Sequence, residues 1–357
     1  MARVASAGVP GSVVLASRCA VTASGKVVCT FVARSALDRN DSQPLITWSG
    51  DGGLTWSSPR LIWPNALQER HSISGAISTG PRGSLLFFGD RTRIDVLGET
   101  KWSKTNAGLK QNELVWSRSS DEGITWEPLR VIPMPVSGSA EVTGAMQATR
   151  QGELICCYTP YNTFDPSVAV EKNQIIGLVS GDGGRSWRHA PMLRFPDSQS
   201  QGAEAWVVEL SDGRLLGTGW HILEKQDPPN AFAISHDVGR TWRPTSSTGI
   251  RGQSTALAPM PDGKALFVYN QRKFGDIGVW LALAKPTDAD FGIIHNERIW
   301  AAETAAQKPV GGDMKDWASF AFGKPSVTVL PDGGVLTTLW TLQPSNSGIR
   351  YVKLRLV

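Results

Sequence analysis

Residues 49–56 read SGDGGLTW, and this stretch indicates the fold because its pattern returns three more times along the chain. The pattern Ser-x-Asp-x-Gly-x-Thr/Ser-Trp recurs as SSDEGITW at 119–126, SGDGGRSW at 180–187 and SHDVGRTW at 235–242. These residue types suit a tight corner: Asp accepts hydrogen bonds from backbone N–H groups, Gly adopts a positive φ, Ser and Thr close the turn, and Trp packs beneath it. Four copies, each after a short apolar run, predict a repeat protein built from β-hairpins.

A second repeat gives the number of units. A polar turn centred on glycine and followed by an apolar run occurs six times, at Gly25, Gly83, Gly152, Gly213, Gly263 and Gly333. The composition, with 37 Gly, 22 Pro and 14 Trp, favours many short strands joined by turns. Repeats of this kind are typical of β-propellers, whose blades close into a ring. We therefore predict an all-β, six-bladed β-propeller in which residues 1–357 form one domain.

Charge and cysteine usage argue against several classes of partner. The 36 basic and 32 acidic residues are spread along the chain without long runs, so neither nucleic acid nor a membrane surface is expected as a partner. No stretch has the length of a membrane span or of a signal-peptide core, which predicts a cytoplasmic protein, although a chain with a trimmed leader would look the same. The four cysteines lack metal-ligand spacing, so no metal or other cofactor is predicted. Cys19 and Cys29 could meet across the hairpin at Gly25. The oligomeric state is left open.

Polar residues stand at comparable places before the six glycine turns. The strand that enters each turn is expected to be the innermost strand of its blade, so these side chains should point toward the central axis. They are Arg18, His71, Glu141, Glu204, Gln253 and Lys324. We predict that they line a polar pocket at one end of the ring.

The four Asp turns on a six-unit pattern resemble the sialidase (neuraminidase) superfamily, and the resemblance extends over nearly the whole chain. Residues 22–56, whose apolar strand ends in Arg34, look like the first blade of that family, and residues 204–242 look like the fourth. The resemblance implies a sialidase-like propeller that binds a carbohydrate on its axis. In family sialidases three arginines hold the substrate carboxylate, a Tyr assisted by a Glu attacks, and an Asp on a first-blade loop is the acid/base.

The resemblance assigns the proton-transfer residues one at a time. Asp38 falls at the place of the acid/base, with Asp41 as the competing choice in the same loop, and Glu204 matches the Glu that assists the nucleophile. Lys324 stands where the nucleophilic Tyr is expected, which leaves Tyr269 as the tyrosine placed to reach the axis.

The arginine pattern is matched only in part. Arg18 and Arg272 can serve as the first and third arginines, but Trp220 and His221 occupy the place of the second. We therefore expect a glycoside hydrolase acting on an anionic or otherwise non-sialic sugar glycoside in an axial pocket. The predicted catalytic residues are Asp38, Glu204 and Tyr269, and the predicted substrate-binding residues are Arg18, Arg34, His71, Glu141, His221, Gln253, Arg272 and Lys324.

Two alternatives stay open beside this hypothesis. A propeller that kept the scaffold and lost the chemistry would bind carbohydrate without turnover. A lyase could use Lys324 or His221 as its base. A true exo-sialidase is disfavoured, because the second arginine and the tyrosine are missing from their expected places.

Overall fold

Six antiparallel sheets surround a common axis in the computed structural model, which describes residues 13–223, 226, 228–306 and 319–356. Five sheets have at least four strands and the last has three, so the described residues form the predicted six-bladed propeller. Within each blade the strands follow chain order from the axis outward, except that two short strands share the innermost position in blade 3. The prediction of one domain over residues 1–357 stays a prediction.

The strands of the first three blades are β1 Val13–Val21, β2 Val27–Arg34, β3 Gln43–Ser49 and β4 Arg60–Leu61; β5 His71–Thr79, β6 Leu85–Arg93, β7 Asn112–Ser119 and β8 Arg130–Ile132; and β9 Ser139–Glu141, β10 Gln147–Ala148, β11 Leu154–Tyr161, β12 Gln174–Ser180 and β13 Arg188–Arg194. Those of the last three are β14 Gln201–Glu209, β15 Leu215–Ile222, β16 Ala231–Ser235 and β17 Ser246–Ser247; β18 Gln253–Pro259, β19 Ala265–Gln271, β20 Gly278–Ala284 and β21 Ile293–Ala301; and β22 Phe322–Val329, β23 Gly334–Gln343 and β24 Asn346–Arg355. Two short 3-10 turns, Pro81–Gly83 and Pro261–Gly263, precede β6 and β19.

The glycine turns connect the inner strand of each blade to the second strand, as predicted. In the first hairpin the N–H of Thr22 donates to the carbonyl of Lys26 at 2.9 Å, and the N–H of Gly25 donates to the carbonyl of Thr22 at 3.0 Å. Gly25 has a φ of 82°, which a residue with a Cβ adopts only with strain. This geometry explains why glycine marks each turn in the sequence.

The Asp turns have the hydrogen bonds that their residue types predict. The carboxylate of Asp51 accepts from the hydroxyl of Ser49 at 2.8 Å and from the N–H and hydroxyl of Thr55 at 2.9 and 2.5 Å. Gly53 has a φ of 91° and donates its N–H to the Ser49 hydroxyl, while the indole N–H of Trp56 donates to the Gly53 carbonyl. Because Ser49 pairs with Val27 beside the first glycine turn, the Asp turns and the glycine turns lie at the same end of the ring.

A channel of about 260 Å³ follows the axis from the glycine-turn end. The inner strands of all six blades contribute to its wall, among them Ile77, Gln147, Trp206, Leu257 and Ser326. The core lies between neighbouring blades, where apolar faces of adjacent sheets pack together. Blade 6 meets blade 1 through side chains, for example through the hydroxyl of Thr328, which donates to the Cys19 carbonyl at 3.1 Å.

Within the described part of the chain, no helix has the length and apolar character needed to cross a membrane.

Candidate active site

Two inner strands carry charged residues on β-bulges at the end of the ring opposite the glycine turns. The pairing of β14 with β15 shifts between Ala203 and Trp206, and Glu204 adopts a φ of 52° there. The pairing of β22 with β23 shifts in the same way around Lys324, which has a φ of 43°. A left-handed conformation costs an ordinary residue about 1–2 kcal/mol, and bulges commonly re-aim a side chain beside an active site. Both residues are thus held in strained positions on a rigid scaffold.

Glu141, Glu204 and Lys324 form the centre of the site. The ammonium of Lys324 lies 3.7 Å from Oε1 of Glu204 and 4.0 Å from Oε1 of Glu141. The backbone N–H of Glu204 donates to Oε2 of Glu141 at 3.1 Å. The remaining oxygen of Glu204, Oε2, is buried without a hydrogen-bond partner. The two carboxyl groups are therefore neighbours that share one cation.

The environment favours the protonated form of one member of this pair. Burial, followed by the charge of Glu204, raises the pKa of Glu141 to about 7, while Lys324 opposes the shift. A carboxyl group with such a pKa can donate a proton near neutral pH. Glu141, predicted only as a pocket residue, is therefore positioned to act as an acid.

A second charged group lies beside the pair and includes two residues that the sequence reasoning missed. Burial raises the pKa of Asp90 on β6. The positive charges of Lys101, Arg34 and Lys324 partly offset that shift. The pKa of Lys101 falls well below its ordinary value, first because of desolvation and then because of Arg34. Each nitrogen of the Arg34 guanidinium donates to the protein: Nε to the Ser42 hydroxyl, Nη1 to the Leu37 carbonyl and Nη2 to the Ser74 hydroxyl. Arg34 therefore fixes the loop after β2.

An insertion after β6, residues 94–110, brings Lys101 to the site; we call it the blade-2 arm. The N–H of Lys101 donates to the carbonyl of Asp38 at 2.9 Å, which joins the arm to the blade-1 loop. The N–H of Leu109 donates to the carbonyl of Asn162 at 2.8 Å, which joins it to blade 3. The arm thus spans three blades on the side of the ring that carries the carboxyl pair.

Tyr161 is a third residue that the sequence reasoning missed. It ends β11, is buried, and contacts the indole of Trp102 on the blade-2 arm edge to face at 5.9 Å. Burial raises the pKa of Tyr161 well above its ordinary value, and the charges of Glu141 and Glu204 raise it further. This tyrosine, rather than Tyr269, is the one beside the carboxyl pair.

Arg272 and Gln253 form the blade-5 side of the site, and both had been predicted there. Arg272 donates through Nη1 to Oε1 of Gln253 at 2.9 Å, and through both Nε and Nη2 to the Phe322 carbonyl, the former at 3.1 Å. Its guanidinium lies over the ring of Phe320 at 4.0 Å. Burial lowers the pKa of Arg272 to about 9, and the charge of Glu204 opposes that shift. A largely desolvated cation therefore faces Glu204.

Arg18 does not have the predicted substrate-binding placement. Its Nη1 donates to the carbonyls of Ser17 at 2.8 Å and Lys324 at 2.9 Å, and its Nη2 donates to the carbonyl of Thr143 at 3.1 Å. The guanidinium is buried over the Trp206 ring at 5.2 Å and lines the inner channel. Arg18 therefore joins blades 1, 3 and 6 beneath the site, because its donors are directed at backbone carbonyls.

Tyr269 does not reach the axis either, which corrects its predicted catalytic placement. Its hydroxyl donates to Oδ1 of Asn296 at 3.1 Å, on the outermost strand of blade 5, and its ring stacks on Trp280. Successive strands of a blade lead outward, so a side chain that bonds to β21 extends away from the axis. Tyr269 is a residue of the blade interior.

The two histidines that were predicted as pocket residues have partners of their own. His221 stacks on Phe195 with ring centroids 4.3 Å apart, shares a 2.9 Å hydrogen bond with Ser200, and has its pKa lowered by desolvation. His71 begins β5 opposite Arg93 and is partly exposed.

Asp38 is partly exposed, and its Oδ1 lies 3.5 Å from Nε of Arg39. The roles predicted for Asp38, His71 and His221 stay predictions. Among the described residues, no group of His, Cys, Asp and Glu could hold a metal ion.

The described residues thus form a six-bladed β-propeller with a charged site on its axis, which is the fold of solved sialidases. The chain belongs to the BNR repeat-like domain family, which matches residues 99–351. No curated protein matches the chain.

Solved structures with the same fold have low sequence identity to this chain. The Hadza microbial sialidase Hz136 is 17% identical with a TM-score of 0.73, covering 99% of this chain and 68% of its own. The NanB sialidase of Streptococcus pneumoniae is 14% identical with a TM-score of 0.66, covering 98% and 70%. The alpha-L-arabinanase of Penicillium chrysogenum, solved with arabinobiose, is 16% identical with a TM-score of 0.64, covering 97% and 94%. At these identities the likeness shows the fold alone.

Proposed function

We propose that this protein is a glycoside hydrolase that uses Glu141 and Glu204 as its pair of catalytic carboxyl groups. The observation that carries the proposal is the contact of both groups with one ammonium, at 4.0 and 3.7 Å from Lys324, together with the pKa of about 7 for Glu141. Most glycoside hydrolases need one protonated and one ionised carboxyl group on either side of the scissile bond. Glu141 supplies the proton, and Glu204 supplies the negative charge.

The closeness of the two groups favours a retaining reaction. Retaining enzymes hold their carboxyl groups about 5 Å apart, whereas inverting enzymes leave room for a water molecule between them. Here one oxygen of each group lies within 4.0 Å of the same ammonium, that of Lys324, and the Glu204 backbone N–H donates to Glu141. Glu141 would protonate the leaving oxygen while Glu204 attacks the anomeric carbon, and Glu141 would then take a proton from the water that releases the sugar.

The surroundings support an anionic or strongly polar sugar as substrate. Lys101, Lys324 and Arg272 approach the site from three different blades or insertions. Solved relatives that share the fold are described as sialidases and as an arabinanase, so sialosides, arabinosides and uronides are the glycosides to test first. The sugar-binding roles of Gln253 and Arg272 belong to this proposal.

The lyase alternative has less support. His221 is stacked on Phe195 and hydrogen-bonded to Ser200, and the Lys324 ammonium is engaged with both glutamates at 4.0 and 3.7 Å. Tyr161 could replace Glu204 as the nucleophile, but burial and both glutamates disfavour its phenolate. The Tyr161→Phe variant separates these two schemes.

The test is turnover of aryl glycosides with leaving groups of different acidity. The wild type should release the aryl group and give a product of retained anomeric configuration by NMR. Glu141→Gln should lose about 10²–10⁴-fold in kcat/KM on poor leaving groups and much less on a dinitrophenyl glycoside, because only the former need an acid. Azide should restore turnover to Glu204→Ala by attacking in place of the missing carboxylate.

Retention of activity by Tyr161→Phe would support the carboxylate scheme. Binding of the same sugars without turnover, unchanged in Glu204→Gln, would replace this proposal with the carbohydrate-binding alternative.

A further inference from the structure

Cys19 and Cys29 lie directly opposite each other on the first hairpin. The register of β1 and β2 pairs them, and both thiols are free. Thr22 and Lys26 close the hairpin as a hydrogen-bonded pair, since the Thr22 N–H donates to the Lys26 carbonyl. Hydrogen-bonded and non-hydrogen-bonded pairs alternate along an antiparallel ladder, which makes Cys19 and Cys29 a non-hydrogen-bonded pair. Side chains approach each other most closely at such positions.

The geometry of this pair suits a covalent bond between the two sulfur atoms. Directly opposed residues of a non-hydrogen-bonded pair have Cα atoms about 4.5 Å apart, within the range of about 4.4–6.8 Å that disulfides span. Both side chains belong to one apolar cluster with Val27, Leu330 and Leu336, so they are on the same face of the sheet. The two cysteines are thus already paired across the strands, which is the placement that a cross-strand disulfide needs.

We propose that Cys19 and Cys29 form a reversible cross-strand disulfide when the protein meets a small peroxide. Hydrogen peroxide transfers one oxygen atom to the Cys19 thiolate and, with uptake of one proton, leaves a sulfenic acid and one water molecule. The Cys29 thiol then attacks that sulfur, an S–S bond forms, and the hydroxyl departs with a proton as a second water molecule. A dithiol reductant returns both residues to thiols by exchange.

Access and rate follow from the surroundings of Cys19. Cys19 contributes to the wall of the axial channel of about 260 Å³, which is the route we propose for a small oxidant, whereas Cys29 is more deeply buried. Burial raises the pKa of the Cys19 thiol well above its ordinary value. Because the thiolate is the reacting form, oxidation should be slow at neutral pH and faster in alkaline solution.

The chain contains its own control for this reaction. Cys156 and Cys157 are adjacent on β11, so their side chains point to opposite faces of the sheet. Cys156 packs in one apolar cluster and Cys157 in another. These two thiols are also buried, but the residues opposite them on the neighbouring strand are Leu178 and Gly177 rather than cysteines.

The experiment treats the full chain with hydrogen peroxide, denatures it, alkylates the remaining thiols and maps the peptides by mass spectrometry. We expect two of the four thiols to be lost together, a cross-linked peptide joining Cys19 to Cys29, faster formation in alkaline buffer, and full reversal by dithiothreitol. Cys29→Ser should abolish the cross-link, and Cys156→Ser should leave it unchanged. Four alkylated thiols after oxidation, or a loss of Cys156 and Cys157 before Cys19, would overturn the proposal.

Discussion

The Glu141→Gln substitution should remove a pH-dependent destabilisation that the structure predicts for the native chain. In the folded protein, burial and Glu204 raise the pKa of Glu141 from 4.5 to about 7. At low pH the carboxyl is protonated in both the folded and unfolded chains, so its contribution to stability is fully present. As the pH rises toward 7, the unfolded chain ionises first, and the free energy of unfolding falls until both states are ionised. The shift corresponds to about 3 kcal/mol at 1.36 kcal/mol per pKa unit.

Urea denaturation of the wild type and Glu141→Gln near pH 4 and near pH 8 measures this effect. The glutamine can still accept the hydrogen bond from the Glu204 backbone, and it cannot ionise. The free energy of unfolding of the variant, minus that of the wild type, should rise by about 3 kcal/mol from pH 4 to pH 8. Glu69→Gln, the same chemical change at an exposed position, should show no comparable gain.

An equal difference between the wild type and Glu141→Gln at both pH values would refute the reasoning. The carboxyl would then ionise as easily in the folded protein as in the unfolded chain. Its proposed role as the acid would lose its physical basis.

Three further predictions concern residues that hold the ring together. Gly53→Ala should cost more than about 1 kcal/mol in urea denaturation, because φ is 91° there, whereas Gly50→Ala in the same turn, with open space around its Cβ, should be nearly neutral. Arg18→Met should cost about 3 kcal/mol or more, since three backbone carbonyls lose a charged donor; a stable variant with altered sugar affinity alone would contradict this assignment. Tyr269→Phe should cost about 1 kcal/mol for its bond to Asn296 and leave turnover unchanged; loss of turnover would restore Tyr269 to the site.

The fold could be predicted because local signals determine it. A glycine with a positive φ is required at each hairpin, and the Asp turn needs its Ser, Asp and Thr to satisfy one another's hydrogen bonds. Such requirements lie within a few adjacent residues, so they are visible in the sequence. Counting the turns was then enough to count the blades.

The candidate site could be predicted only in part. Glu204 and Lys324 precede their turn glycines by the same number of residues and come together, whereas Arg18 stands closer to its glycine and falls below them. Lys101 could not be predicted, because it reaches the axis on an insertion whose path depends on contacts with blades 1 and 3. Asp90 lies on a second strand, where no spacing from the turn marks it as axial.

The two bulges that carry Glu204 and Lys324 have a counterpart in blade 1. Ala16 interrupts the pairing of β1 with β2 in the same way and has a φ of 54°. The backbone there already adopts the conformation that directs Glu204 and Lys324 toward the axis. An Asn or Asp, the residues that best tolerate this conformation, should therefore be accepted at position 16 without altering strand pairing.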